Sequence, residues 1–292
     1  GIFNTDKLTL YIDIGTNGEM VLGNKEWMLS CSCSAGPAFE GGGVKNGMRA
    51  TRGAIEQVRI NQIDYEPMII SVGGRKPIGI CGSGLIDVLS EMFLTGIMNE
   101  RGRINLDLPS DRVRSTETGG DYVLAWAENS ATRRDIVITE VDIDNLMRAK
   151  AAVYAGIEIL VSSMDLEVSM IEELLIAGAF GRYLEVDKAV TIGLLPDIGY
   201  DKIKFVGNGS LLGTHLSALS KDMMNMADDI ARQMTYLELS MNPAFMDHYM
   251  SALFFPHTDM NAFPSVNEKL EEYRSMQRMA RDLASDGGQE EG

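Results

Sequence analysis

Apolar positions come in short runs cut by glycine turns near the start of the chain, and at helical spacing after residue 80. Leu8-Thr9-Leu10-Tyr11-Ile12-Asp13-Ile14 has the length and apolar content of a buried strand. Gly15-Thr16-Asn17-Gly18 follows, and Asn-Gly is a strong hairpin signal because both residues tolerate positive φ. Residues 19–22 read as a second strand and 27–33 as a third, with a turn at Gly23-Asn24 between them. Three strands joined by two tight turns predict an antiparallel meander. Residues 34–53 are glycine-rich and irregular, and residues 54–80 read as short strands with turns at Asp64 and Gly73-Gly74.

A helix opens at Gly82, where Leu85, Ile86, Val88, Leu89, Met92, Phe93 and Ile97 share a helical period. Residues 100–134 are polar and charged, and predict a loop-rich insertion with one edge hairpin near 122–126. The clearest helix covers 142–164, where Ala151, Ala152, Ala155 and Gly156 permit a close approach to a sheet. Strands are expected at 172–177 and 204–206, and helices at 187–191, 211–220 and 221–241. Residues 249–255 read as a final strand or docked segment, and the acidic tail of 281–292 as flexible. The sum is an α/β sheet, a meander followed by alternating helices and strands with helical C-terminal cover.

Candidate chemistry gathers at strand ends. Asp13 closes the first strand, where a carboxylate can meet hydrated Mg2+. Gly15, Thr16, Asn17 and Gly18 can aim backbone N–H groups at phosphate oxygens. An ordinary hairpin turn would use the same residues, and the G-x-x-x-x-G-K-S/T phosphate loop is absent. Two later strand–glycine junctions place Gly178, Ala179 and Gly181, then Gly207 and Asn208, where a ring or a phosphate could approach. Each junction is common in α/β folds; together they point to one nucleotide crevice at the strand ends. Glu19 and Glu40 are candidate water-orienting or metal-linked carboxylates, and would be catalytic beside Asp13. Of the three histidines, His215, His248 and His257, His215 reads as a packed helix side chain rather than a base, and Cys81-Gly82-Ser83-Gly84 lacks the spacing of a nucleophile elbow.

The net charge of −16 and pI near 4.6, without a basic run, argue against binding nucleic acid or an anionic membrane. Any phosphate ligand must therefore be held locally, against the overall field. The 30 glycines against 8 prolines favour tight turns over linkers. Three cysteines form no disulfide framework, and Cys31 and Cys33 read as small buried strand residues. No apolar stretch reaches membrane-spanning length, no signal peptide is evident, and a cytoplasmic location is expected. Met223, Met224, Met226, Met234, Met241, Met246 and Met250 read as helical core, or as an adaptable docking surface.

The motifs just quoted, with Ala35-Gly36-Pro37-Ala38-Phe39-Glu40-Gly41, Gly47-Met48-Arg49-Ala50, Ile80-Cys81-Gly82-Ser83-Gly84-Leu85-Ile86-Asp87 and Gly193-Leu194-Leu195-Pro196, resemble in order the reductive activators of corrinoid proteins. The resemblance covers roughly residues 8–258 and implies an actin-like (ribonuclease H-like) lobe of the acetate and sugar kinase, Hsp70 and actin superfamily. It implies ATP and Mg2+ as cofactors, with a 2Fe-2S cluster in a separate N-terminal domain absent from this chain. It implies a client, a corrinoid protein of a methyltransferase system, returned from Co(II) to Co(I), and leaves room for a homodimer. Carried across, Asp13 and Gly15 to Gly18 match the second phosphate motif. Gly178, Ala179 and Gly181 match the adenosine-side motif, followed by Gly207 and Asn208. One phosphate hairpin is present rather than two, and ferredoxin cysteines are missing. The chain therefore looks like one lobe over residues 1–280, weakly active or inactive as an ATPase alone. A small-molecule kinase lobe and a non-catalytic corrinoid-protein docking module are the alternatives.

Overall fold

The computed structural model describes residues 1–178 and 184–286. The opening meander forms as expected: β1 (Thr9–Ile14), β2 (Gly18–Gly23) and β3 (Met28–Cys33) pair antiparallel. Side chains alternate across it. Leu10, Ile12, Ile14, Met20, Leu22, Cys31 and Cys33 are buried on one face, while Tyr11, Asp13, Glu19, Val21, Ser30 and Ser32 take the other.

A second sheet follows, with β5 (Pro67–Ser71) antiparallel and β6 (Gly79–Ile80) parallel to its central strand β4 (Ala54–Ile60). The helix α1 (Gly82–Leu94) packs on β4 and buries every one of its residues. Its two acids are satisfied: Asp87 accepts the Val58 N–H at 3.0 Å and Glu91 the Ile60 N–H at 2.9 Å. Lys188 reaches both carboxylates from the short helix described below, 2.9 Å from Asp87 and 3.4 Å from Glu91.

Residues 100–134 carry the expected hairpin, which is longer than 122–126 and gains a third strand beyond the segment. β7 (Val113–Thr116), β8 (Gly119–Ala125) and β9 (Ile136–Thr139) form a three-stranded antiparallel sheet in which Tyr122 to Ala125 are all buried. Charge concealed it. Arg114 forks onto Asp121 at 2.8 and 2.9 Å and reaches Asp135 at 2.8 Å, so residues that read as solvent-facing neutralise one another.

The long helix α2 (Glu140–Ser162) opens with a capping box between Thr139 and Asp142. It runs beneath β2 and β3. A Cβ on Gly156 would lie 2.5 Å from Met20 Cε, so glycine lets the helix sit against the strand. β10 (Glu173–Ala177) then pairs parallel with β1 and, past the short helix α3 (Val186–Thr191), β11 (Ile203–Gly207) pairs parallel with β10. Two helices follow, α4 (Gly209–Leu219) and α5 (Lys221–Gln233).

The single helix expected over 221–241 stops at Gln233. β12 (Met234–Tyr236) instead adds a parallel strand to β3, completing a six-stranded sheet in the order β11-β10-β1-β2-β3-β12. The strand considered for 249–255 is also corrected. α6 (Phe245–Ser251) is a helix packed on α2, and the segment after it is held by the Lys150 ammonium, which donates to Phe254 O and Pro256 O. A short apolar run does not distinguish strand from helix. α7 (Pro264–Asp286) continues as helix past residue 280, where a flexible tail was expected to begin; residues 287–292 lie outside the described residues.

Candidate nucleotide-binding cleft

The parallel strands β1, β10 and β11 all end at one place, and a cleft of about 510 Å³ opens there. Gly178 explains how tightly the ends are drawn together. Its φ is +99°, its N–H bonds to Gly207 O at 3.0 Å, and a Cβ would lie 2.6 Å from Ile14 O and 2.8 Å from Asp13 Oδ1. Only glycine fits. Gly207, with φ +73°, then turns the chain into α4. Asn208 caps that helix, its Oδ1 accepting the Leu211 N–H at 2.8 Å.

Asp13 lines the cleft and is held by two hydroxyls. Ser210 Oγ donates to its Oδ2 at 3.1 Å and Tyr11 OH at 3.4 Å. Burial, then the Asp13 charge, pushes the Tyr11 phenol up to about 12, so it stays a donor. A Cβ on Gly209 would lie 2.4 Å from the Tyr11 oxygen, so the start of α4 rests directly on this group. The N-terminus of α1 faces the same space through Gly82 and Ser83. Two helix N-termini and a carboxylate share one cavity, an arrangement suited to an anion accompanied by a hydrated cation.

The glycine-rich loop supplies the opposite wall. Gly41, at φ +85°, would place a Cβ 2.4 Å from Met48 N, so residues 38–41 fold directly onto Gly47-Met48. That crossing sets Glu40 and Arg49 on the rim. Glu40 Oε1 accepts from Thr16 Oγ1 at 2.8 Å, tying the loop to the hairpin. Arg49 is exposed and has no ion-pair partner among the described residues.

Of the candidates named from the sequence, Asp13, Gly15, Glu40, Gly178 and Asn208 line the cleft. Thr16 and Asn17 are exposed in the hairpin, where the Asn17 carbonyl accepts the Gly15 N–H at 2.8 Å. Gly18 is buried, and a Cβ there would lie 2.9 Å from Cys33 Sγ, which gives its lack of a side chain a packing reason. Glu19 stands across from Asp13 in the strand register and shares its face, but does not line the cleft. Ala179 and Gly181 fall outside the described residues. Tyr11, Arg49 and Ser210 were missed as site residues. Arg49 carried the best signal, a lone cation inside the Gly47-Met48-Arg49-Ala50 motif. No group of three or more His, Cys, Asp or Glu among the described residues is placed to hold a metal ion.

An antiparallel meander extended by two parallel strands, with turns at their carboxyl ends lining one cleft, defines an actin-like lobe. Residues 7–267 match the family described as the C-terminal domain of RACo, the ASKHA domain, and the chain belongs to that family. It is 36% identical over 264 residues to the corrinoid activation enzyme RamQ of Eubacterium limosum, an overlap covering 87% of this chain and 44% of that protein. It is 26% identical over 269 residues to a Co(II) methylated amine-specific corrinoid protein reductase of Methanosarcina barkeri, covering 85% of this chain and 46% of that protein. A solved structure of a reductive activator for corrinoid, iron-sulfur protein superimposes with a TM-score of 0.86 at 52% identity, over 91% of this chain and 42% of its own. The chain spans less than half the length of these relatives. No helix among the described residues is long and apolar enough to cross a membrane.

Proposed function

We propose that this chain is the nucleotide-binding lobe of an ATP-dependent reductive activator, whose client is a corrinoid protein returned from Co(II) to Co(I) for methyl transfer. The observation that carries the reading is the Asp13 carboxylate, held by Ser210 and Tyr11 in a cleft bounded by the starts of α1 and α4. The geometry fits Mg2+ with a triphosphate. One carboxylate at a strand end suits an ion that takes most of its ligands from water and phosphate, and the absence of a multi-residue metal cluster among the described residues agrees with that.

In this reading the backbone N–H groups at the helix starts and the Arg49 guanidinium oppose phosphate charge, offsetting a chain of net charge −16 locally. Asp13 orients the hydrated cation, and Glu40, steadied by Thr16, orients water at the opposite wall. Gly178 keeps the end of β10 drawn against Asp13 and Ile14. Bound ATP supplies the free energy that makes the one-electron reduction of Co(II) favourable. A 2Fe-2S cluster on a separate domain would supply the electron, with the reaction set in the cytoplasm.

Calorimetric titration with Mg·ATP and a non-hydrolysable analogue tests the site. Saturable binding is expected, lost on Asp13→Ala and weakened about tenfold, or about 1.4 kcal/mol, on Arg49→Ala. Binding that neither substitution changes would place the phosphates elsewhere.

A further inference from the structure

A second cavity, of about 480 Å³, shares no lining residue with the nucleotide cleft. It lies where the C-terminal half of α2 meets the segment that follows α6. Glu158, Glu167, Asp197 and Asp259 line it, and no lysine or arginine does. An acidic lining alone would mean little on a chain this acidic. What distinguishes it is the unpartnered hydroxyl of Tyr154 in its lining, with a second unpartnered atom, His257 Nε2, close by.

The Tyr154 hydroxyl and His257 Nε2 are both buried without a hydrogen-bond partner in the protein. Tyr154 is 0% exposed and His257 7%. The histidine tautomer follows from its other nitrogen: Nδ1 accepts the Asp259 N–H at 3.0 Å, so the neutral ring carries its proton on Nε2. That N–H faces Glu158 Oε1 at 3.7 Å, beyond hydrogen-bond reach. The second oxygen of Glu158 lies 3.1 Å from His248 Nδ1. Burial, then the charges of Glu158, Asp197 and Asp259, pushes the Tyr154 hydroxyl up, so a neutral phenol stands among three carboxylates. The rings of His257 and Phe263 lie 5.4 and 5.3 Å from that of Tyr154 and pack against it outside the cavity lining.

Buried polar groups in native proteins are nearly always satisfied. Here the Tyr154 oxygen is left open beside Asp197 and Asp259, which have no ion-pair partner among the described residues. We propose that this cavity binds a small organic ammonium ion. Its N–H groups donate to the carboxylates of Glu158 and Asp197 and to the Tyr154 oxygen. An organic ion is favoured over a bare one on two grounds. The volume is many times the roughly 30 Å³ that one water occupies. The described residues also provide no cluster arranged for a metal.

Titration calorimetry of the 292-residue chain with 1,4-diaminobutane, at fixed ionic strength near neutral pH, tests the proposal. Saturable binding is expected, with none for 1,4-butanediol, which has the same length and no charge. Glu158→Gln should weaken binding about tenfold and Tyr154→Phe, which keeps the ring, about threefold. Should Glu158→Gln disturb the fold through His248, Asp259→Asn on the exposed rim repeats the charge test and should also weaken binding. Non-saturable heat would overturn the proposal. So would displacement by equimolar K+ with the same midpoint, or affinities untouched by all three substitutions.

Discussion

Below the meander, Met20 and Cys31 are sealed against α2; above it, Tyr11, Asp13 and Glu19 are at least partly open. These residues alternate along the same strands, so the backbone is shared and only the facing surroundings differ. The helices diverge in the same way. α2 buries most of its residues, whereas α4 and α5 bury none and leave Leu211, Leu216 and Leu219 exposed. One face is built for stability and the other for access. A carboxylate can serve as a ligand only where the fold declines to bury it.

Breaking the sealed face should cost most. Met20→Ala removes a fully buried side chain from the sheet–helix contact and should lower unfolding stability by about 3 kcal/mol in a denaturant titration. A loss below about 1 kcal/mol would mean that α2 does not seal this face.

Alkaline pH probes the same face without mutation. Burial holds the Cys33 and Cys31 thiols neutral, up to about 11 and about 12 against an ordinary 9.0. The folded chain then binds these protons more tightly than the unfolded one. Their contribution is fully present below pH 9 and is lost as pH rises through the folded values. Stability should fall by up to about 1.4 kcal/mol per pH unit per thiol over that window. Urea midpoints at pH 8, 9.5 and 10.5 check the slope, and Cys33→Ala should flatten it. The open face gives the smallest response: Leu216→Gln with Leu219→Gln should change stability by no more than about 0.5 kcal/mol, read from the same titration.

The candidate cleft was legible where its signals were local. Asp13 closes an alternating strand, Gly178 and Gly207 sit at strand–turn junctions, and Asn208 occupies a cap position; each needs only its chain neighbours to be recognised. Arg49 became a site residue only through the crossing of Gly41 over Gly47-Met48, and Ser210 only because β11 lies two strands from β1. The sheet of β7, β8 and β9 was hidden because its charges pair across strands, which no linear pattern reveals.

Chain pattern alone was enough for the meander, the long helix α2 and the glycine junctions, because alternation, helical period and positive φ are properties of a few consecutive residues. Contacts between distant segments decided everything else: which strand ends meet in the cleft, that residues 234–236 join the sheet, that 245–251 coil into a helix. Tyr154 and His257 belong to the same class. An unpartnered polar atom is defined by what surrounds it in three dimensions, and its own sequence position carries no mark of that.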